Sequence, residues 1–271
     1  MSNVKAGKNK NALITGASSG IGESLAECFA KGGFNLILVA RGADKLQLLA
    51  DRLAKKYDVQ TWISPVDLSI SNSAAELADE MKKLERPIDV LVNCAGILEH
   101  GEFTAIPASR HQGIIDLNIS SLTAMLSHFL PPMVNRGSGK VLNVASVAAF
   151  QPVPSLATYA ASKAYVLSLT ESLSEELKDT GVTISALCPG ITATNMMSTA
   201  TAESANLKVP DIFVGDADQV AAEGYASLMK GDVIKVPGIV NQASILASRA
   251  TPKWLVRKVW GKLGRTTIKS K

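Results

Sequence analysis

Cysteine is scarce: Cys28, Cys94 and Cys188 are the only three among 271 residues, and no two form a C-x-x-C. An odd, widely spaced set excludes a disulfide framework and a thiolate metal site, leaving the thiols as small buried hydrophobes. Histidine is equally sparse. His100, His111 and His128 have no ligand-like spacing with one another or with carboxylates, so no metal is expected. No apolar run reaches the ~18 residues of a membrane-spanning helix. The opening "MSNVKAGKNK" lacks the apolar stretch of a signal peptide, so neither export nor membrane spanning is expected and the cytoplasm is the default location. No internal repeat, low-complexity segment or linker interrupts the chain before about residue 236. Acidic residues stop at Asp232, whereas Lys235, Arg249, Lys253, Arg257, Lys258, Lys262, Arg265, Lys269 and Lys271 follow it. The net charge of +4 is therefore the balance of a strongly basic tail against a mildly acidic remainder.

What is present is apolar residue in quantity, 46% of the chain, enough to fill a sizeable core. It comes in short runs: "NALIT" (11–15), "NLILVA" (35–40), "VQTWIS" (59–64), "IDVLVN" (88–93), "GKVLNVAS" (139–146), "VTISALC" (182–188) and a weaker "DVIKV" (232–236). Runs without polar alternation suit strands covered on both faces, and the amphipathic stretches between them are long enough for crossover helices. The expected fold is α/β, a Rossmann-like doubly wound parallel sheet of about seven strands with helices on both faces. One domain is expected over 1–236, followed by a basic, amphipathic C-terminal extension over 237–271.

The first strand runs into "TGASSGIGESLAECFAKGG", a T-G-x-x-x-G-x-G at Thr15, Gly16, Gly20 and Gly22. Glycines let the backbone turn tightly and approach a pyrophosphate, while the amides and dipole of the following helix favour an anion. Gly16, Ser18, Ser19, Gly20, Ile21 and Gly22 are thus expected to hold a dinucleotide. After the second strand stands "LVARGADK", with Ala40 where a ribose-binding acid would sit and Arg41 beside it. A guanidinium matches a 2′-phosphate in charge and donor geometry, so NADP(H) is favoured over NAD(H). Asp67, just past the third strand, is placed to receive an adenine amino group, although an ordinary N-cap Asp would look the same.

Tyr159 and Lys163 stand four apart in "SLATYAASKAYVLSLTESL", on one face of a helix. Taken together, "TGASSGIG", "NCAG" at 93–96, Asn118, Ser146, "YAASK" and "PG" at 189–190 resemble the short-chain dehydrogenase/reductase family, over about residues 10 to 236. The resemblance implies a catalytic set of Asn118, Ser146, Tyr159 and Lys163, in which Asn118 binds a water that relays protons to Lys163. It further implies dinucleotide contacts from Asn93, Ala95, Gly96, Tyr159, Lys163, Pro189, Gly190, Ile191 and Thr194. One departure is Ser19, where some NADP-preferring members carry a basic residue, so the coenzyme reading rests on Arg41 alone.

Carbonyl reduction needs a hydride donor at the substrate carbon and a proton donor at its oxygen, where negative charge accumulates. Tyr159 can supply the proton, and Lys163 is expected to stabilise its phenolate, because a phenol of pKa about 10 is poorly matched to neutral pH. Ser146 can hold the substrate oxygen. Asn118 lies in the long fourth helix, where asparagine is unfavourable and invites explanation. Asp89 and Asp116 are read as structural. Residues from about 191 to 213 read as a substrate lid, and Met196, Met197, Phe150, Val153 and Pro154 suggest an apolar pocket for a small-molecule ketone, aldehyde or alcohol of moderate hydrophobicity.

In the tail, Trp254, Leu255, Val259, Trp260 and Leu263 interleave with basic residues. Packing of this segment on its own domain or a partner subunit is favoured over contact with an anionic membrane surface, and nucleic acid is not expected because no recognised binding fold accompanies the charge. A homo-oligomer is expected, a dimer rather than a tetramer, since the tail would obstruct assembly beside the last strand. The function expected is an NADPH-dependent carbonyl reductase; the alternative is a non-catalytic dinucleotide sensor or scaffold on the same fold.

Overall fold

The computed structural model describes residues 6–192 and 215–250. β1 (Asn11–Thr15), α1 (Gly20–Lys31), β2 (Asn35–Ala40), α2 (Ala43–Tyr57), β3 (Thr61–Pro65) and α3 (Ser73–Lys83) follow in alternation. β4 (Val90–Asn93) leads through a 3-10 turn at Phe103–Ala105 to α4 (Ala108–Ile115), a π-helical stretch (Asp116–Ser121) and α5 (Leu122–Asn135). β5 (Gly139–Val144), a second 3-10 turn (Val147–Phe150), α6 (Ala157–Glu176), β6 (Val182–Leu187), α7 (Ala217–Lys230), β7 (Ile234–Lys235) and α8 (Ile239–Ala250) complete it.

The strands form one seven-stranded sheet in the order β3-β2-β1-β4-β5-β6-β7, every neighbour parallel, as the apolar runs require. Side chains alternate along each strand, so the runs feed two cores at once. Leu13, Ile37, Leu91, Val141 and Ile184 face one layer with Leu77, Met125, Phe129 and Val166. Ile14, Leu36, Leu38, Val92 and Leu142 face the other with Leu25, Phe29, Leu46, Leu53 and Leu228. Each such side chain contributes about 1.5–3 kcal/mol by leaving water. Phe29 anchors the second layer, meeting Phe34 edge-on at 5.3 Å and Tyr225 at 5.0 Å.

Strand order reverses direction between β1 and β4, which opens a crevice beyond the carboxyl ends of the strands. Two expectations shift in detail. β7 is confined to two residues, because only Ile234 and Lys235 pair with β6. The long fourth helix is regular on either side of Asp116–Ser121 but widens there into a π-turn, which re-aims the side chains it carries.

Chain beyond residue 236 returns to the sheet: α8 packs against the Val147–Phe150 turn and buries Ile245. Thr194, Met196, Met197, most of the expected lid and the tail from 251 lie outside the described residues.

Candidate active site

The nucleotide side of the crevice is built from backbone. Gly16 has φ +67°, and a Cβ there would stand 2.9 Å from the Ala95 amide nitrogen. A Cβ on Gly22 would run into the Gly16 carbonyl oxygen. The turn after β1 therefore lies flat on itself and on the "NCAG" segment, a cradle that any side chain would fill. Ser19, the N-cap of α1, makes no side-chain cap hydrogen bond, which leaves the first-turn amides of a 12-residue helix available to a phosphate. These features fit a dinucleotide.

Thr15 ties the two sides together. Its hydroxyl donates to the Val92 carbonyl at 3.2 Å and accepts from the amides of Cys94 and Ala95, both at 3.0 Å. Asn93 is buried, and its amide donates to Asn143 Oδ1 on β5 at 2.9 Å, while Asn143 donates to Thr170 of α6 at 2.9 Å. Its side chain is thus committed to a polar ladder beneath the crevice. Arg41 follows β2, is exposed, and forms no ion pair among the described residues. It lies near enough to Asp67 to help hold that carboxyl below its ordinary pKa, although the larger cause is the Ser69 hydroxyl. Asp67 Oδ1 accepts from the amide and hydroxyl of Ser69 at 3.0 and 2.6 Å, a local turn of the kind an ordinary loop aspartate makes.

The other side is built from buried side chains. α6 turns Lys163 toward the sheet, where it is 5% exposed and its Nζ donates to the Val144 carbonyl at the end of β5, at 2.8 Å. Burial pushes its pKa down to about 8. Nζ stands 5.8 Å from the centre of the Tyr159 ring one helical turn earlier. Ser146, directly after β5, is hydrogen-bonded to Tyr159 and also caps the following turn, its Oγ accepting from the Ala148 amide at 3.1 Å. Asn118, 1% exposed, sits in the π-turn and clamps the strand exit: Oδ1 accepts from the Ile97 amide at 2.9 Å, and Nδ2 donates to the Ile97 carbonyl at 2.9 Å and to Ser162 at 3.0 Å. A Cβ on Gly96 would lie 3.2 Å from Asn118 Oδ1 and 3.4 Å from Lys163 Nζ, so Asn118 and Lys163 border one small space there.

One electrostatic expectation is corrected. Tyr159 is raised, not lowered, from the ordinary phenol range: burial outweighs the Ser146 hydrogen bond, and the Lys163 ammonium is not among the influences that set it. Cys94 and Cys188, pushed up by burial to about 11 and about 12, stay neutral thiols beside Lys163.

A further wall adjoins the site at Thr158. His111 of α4 stacks on Phe103 at 4.3 Å, and its Nε2 contacts the Phe103 carbonyl at 3.0 Å. A carbonyl only accepts, so Nε2 carries a hydrogen, and Nδ1 shares a hydrogen bond with the hydroxyl of Thr158, the neighbour of Tyr159, at 2.8 Å. Gly101 donates to the carbonyl of Ser155, which has φ +71°, and Arg110 pairs with Glu99 at 2.7 Å. Sequence reasoning missed Thr15, His111 and Thr158 as site-builders, since their partners lie far off in sequence. Pro189 accepts from Val147, Ile191 is exposed, and Gly190 carries the Asn241 side chain of α8, whose amide a Cβ there would meet at 2.6 Å.

A family model described as short chain dehydrogenase matches residues 10–205. The very-long-chain 3-oxoacyl-CoA reductase of Rattus norvegicus is 32% identical over 252 residues, 91% of this chain and 77% of the relative. A short-chain dehydrogenase from Sphingobium yanoikuyae, solved in complex with NADPH, superposes with a TM-score of 0.80 at 30% identity, covering 89% of this chain and 94% of that one. The bulky-bulky ketone specific alcohol dehydrogenase from Comamonas testosteroni gives 0.76 at 28% identity, covering 89% and 91%. With its parallel seven-stranded sheet and glycine-built crevice, the chain belongs to the short-chain dehydrogenase family, oxidoreductases that act on alcohol and ketone groups with a nicotinamide dinucleotide.

Proposed function

We propose that this protein is an NADPH-dependent reductase of bulky, apolar ketones or aldehydes. The observation that carries the reading is the chain of contacts from Ser146 to Tyr159, from the Tyr159 ring to Lys163, and from Lys163 to Gly96. When bound, the dinucleotide supplies hydride from its nicotinamide. The first turn of α1 and the glycines of the β1 exit would hold its phosphates, and Arg41, in no ion pair among the described residues, would take the 2′-phosphate.

The chain's own residues manage the proton. Ser146 holds the substrate oxygen against Tyr159, and the phenol, kept protonated by burial, is in the form that donates as charge develops on that oxygen. Lys163, charged below about pH 8 and held by the Val144 carbonyl one helical turn from Tyr159, would supply positive charge to the bound dinucleotide and the proton path. Both Nδ2 hydrogens of Asn118 are committed and Oδ1 accepts from the Ile97 amide, so its side chain fixes the chain beyond β4 beside Lys163.

Phe150 and Val153, partly buried between Ser146 and Tyr159, supply an apolar margin. A bulky carbonyl accords with the similarity to the rat very-long-chain 3-oxoacyl-CoA reductase and the Comamonas bulky-bulky ketone specific alcohol dehydrogenase. The test is purified protein with NADPH and a panel of bulky ketones, followed by loss of reduced coenzyme and product identification. Wild type should turn over, and Tyr159→Phe should not while still binding NADPH; equal oxidation by both removes the mechanism.

A further inference from the structure

Gly190 stands just past β6, and nothing in its backbone calls for glycine, since its φ is not in the left-handed region. The reason is space. A Cβ there would meet Asn241 Nδ2 and Oδ1 at 2.6 Å each and Cγ at 2.9 Å, so the three nearest atoms outside its own stretch of chain all belong to one amide of α8. That amide is itself fixed. Nδ2 donates to the Pro237 carbonyl at 2.8 Å, and the side chain of the next residue, Gln242, donates to the Val236 carbonyl at 2.9 Å. Gly238, at φ +81°, turns the chain between β7 and α8, and both side chains fold back over that turn.

The β6 exit borders the reacting end of the crevice. Strand order sets β6 three places from β1, about 14 Å at a spacing of ~4.8 Å, on the side of β4 and β5. Pro189 accepts from the amide of Val147, the residue after Ser146, at 2.9 Å. The Gly190 carbonyl accepts from the Thr192 hydroxyl at 3.1 Å, and the Ile191 carbonyl from the Gly215 amide at 2.7 Å. Those bonds hold the carbonyls of the exit, and the Asn241 amide covers the α-carbon of Gly190. Because α8 also packs on the Val147–Phe150 turn, one helix braces the exits of both β5 and β6. It lies beyond residues 10–205, the part of the chain that the family model matches.

Given the reductase reading, in which hydride is delivered beside Tyr159, we propose that Asn241 is a positioning residue for the nicotinamide end of the coenzyme. By lying on Gly190 it sets the backbone from Pro189 to Ile191, which lines that end of the crevice. Removing the amide leaves a gap against Gly190, and the exit gains freedom at the point where the nicotinamide must be held in a reactive pose. The phosphates and adenine belong to the first turn of α1 and the exits of β1 and β2, across the sheet, and do not depend on α8.

The test compares, on full-length protein, affinity for NADPH with affinity for 2′-phospho-ADP-ribose, the same molecule without its nicotinamide. NADH and ADP-ribose are titrated in parallel, and the pair that wild type binds more tightly decides. Asn241→Ala should weaken the complete coenzyme about tenfold and leave the nicotinamide-free compound within about twofold of wild type. It should also lower kcat for a ketone about tenfold or more with little change in ketone KM. Gly190→Ala, which drives the amide away from the opposite side, should give the same selective loss. The double variant should be no worse than the poorer single, because both remove one contact. Wild-type coenzyme affinity in Asn241→Ala overturns the proposal, as does a loss shared equally by the nicotinamide-free compound, or losses that add in the double variant. The affinity measurements use no substrate: a wild type that binds coenzyme and reduces no ketone removes the reductase reading, while these titrations still decide the role of Asn241.

Discussion

The two sides of the crevice are made of different material. The half contributed by β1 to β3 presents backbone: a left-handed Gly16, a Gly22 pressed on the Gly16 carbonyl, and uncapped amides of α1. The half contributed by β4 to β6 presents buried side chains, with Asn118, Ser146 and Lys163 nearly inaccessible and hydrogen-bonded to strand exits. Backbone recognition fixes where a phosphate goes and is indifferent to titration. Side-chain recognition depends on burial, which moves Lys163 down to about 8 and Tyr159 up. The first half is therefore suited to holding a ligand and the second to moving a proton.

The sharpest way to separate the halves is a pair of substitutions. Tyr159→Phe should lower turnover by about 10²–10⁴-fold, the usual scale of a general acid, with NADPH affinity within twofold or so as read by fluorescence titration. Gly16→Val should do the reverse kind of damage, weakening NADPH binding by roughly 100-fold through left-handed strain and contact with the Ala95 amide. If the tyrosine variant loses binding as severely as the glycine variant, the division fails.

Arg41→Asp comes next. Removing the guanidinium and adding a repelling carboxylate should shift the NADPH over NADH preference toward NADH by about tenfold or more in kcat/KM. An unchanged ratio places 2′-phosphate recognition elsewhere.

The pH profile tests the catalytic half alone. A lysine depressed to about 8 is charged below that value and neutral above it, so reduction should be sustained near neutrality and decline as pH rises through about 8. Cys94 and Cys188 titrate only near 11 and 12, so Cys94→Ser should leave the decline in place. A profile flat to about pH 9.5 removes Lys163 as its cause. The smallest effect belongs to the wall. His111→Ala, which frees Phe103 and Thr158, should raise KM for a bulky ketone several-fold, about 1 kcal/mol, with kcat and NADPH affinity little changed. His111→Gln, which keeps a donor for the Phe103 carbonyl, should recover part of it.

Much of this architecture is visible in the chain. Unalternated apolar runs can be buried only between two layers, so a parallel sheet follows from them, and Tyr159 and Lys163 share a face because helical geometry leaves no other arrangement. The π-turn at Asp116–Ser121 is not visible, because it goes with the clamp between Asn118 and Ile97, a contact made across the fold. Thr15 reads as part of a glycine motif, yet its hydroxyl partners are 77 to 80 residues away. The direction of the Tyr159 shift also escapes the sequence, which shows the neighbouring ammonium but not how much water the fold removes from the phenol.

By itself, then, the sequence determined periodicity, the glycine turn and the helical pairing of phenol with ammonium, all matters of local geometry. Tertiary structure decided which groups are desolvated, which carbonyls hold Lys163 and Asn118, and that the chain beyond β7 folds back as α8 over Gly190. Burial and long-range hydrogen bonding are properties of the assembled layers, and no stretch of chain contains them alone.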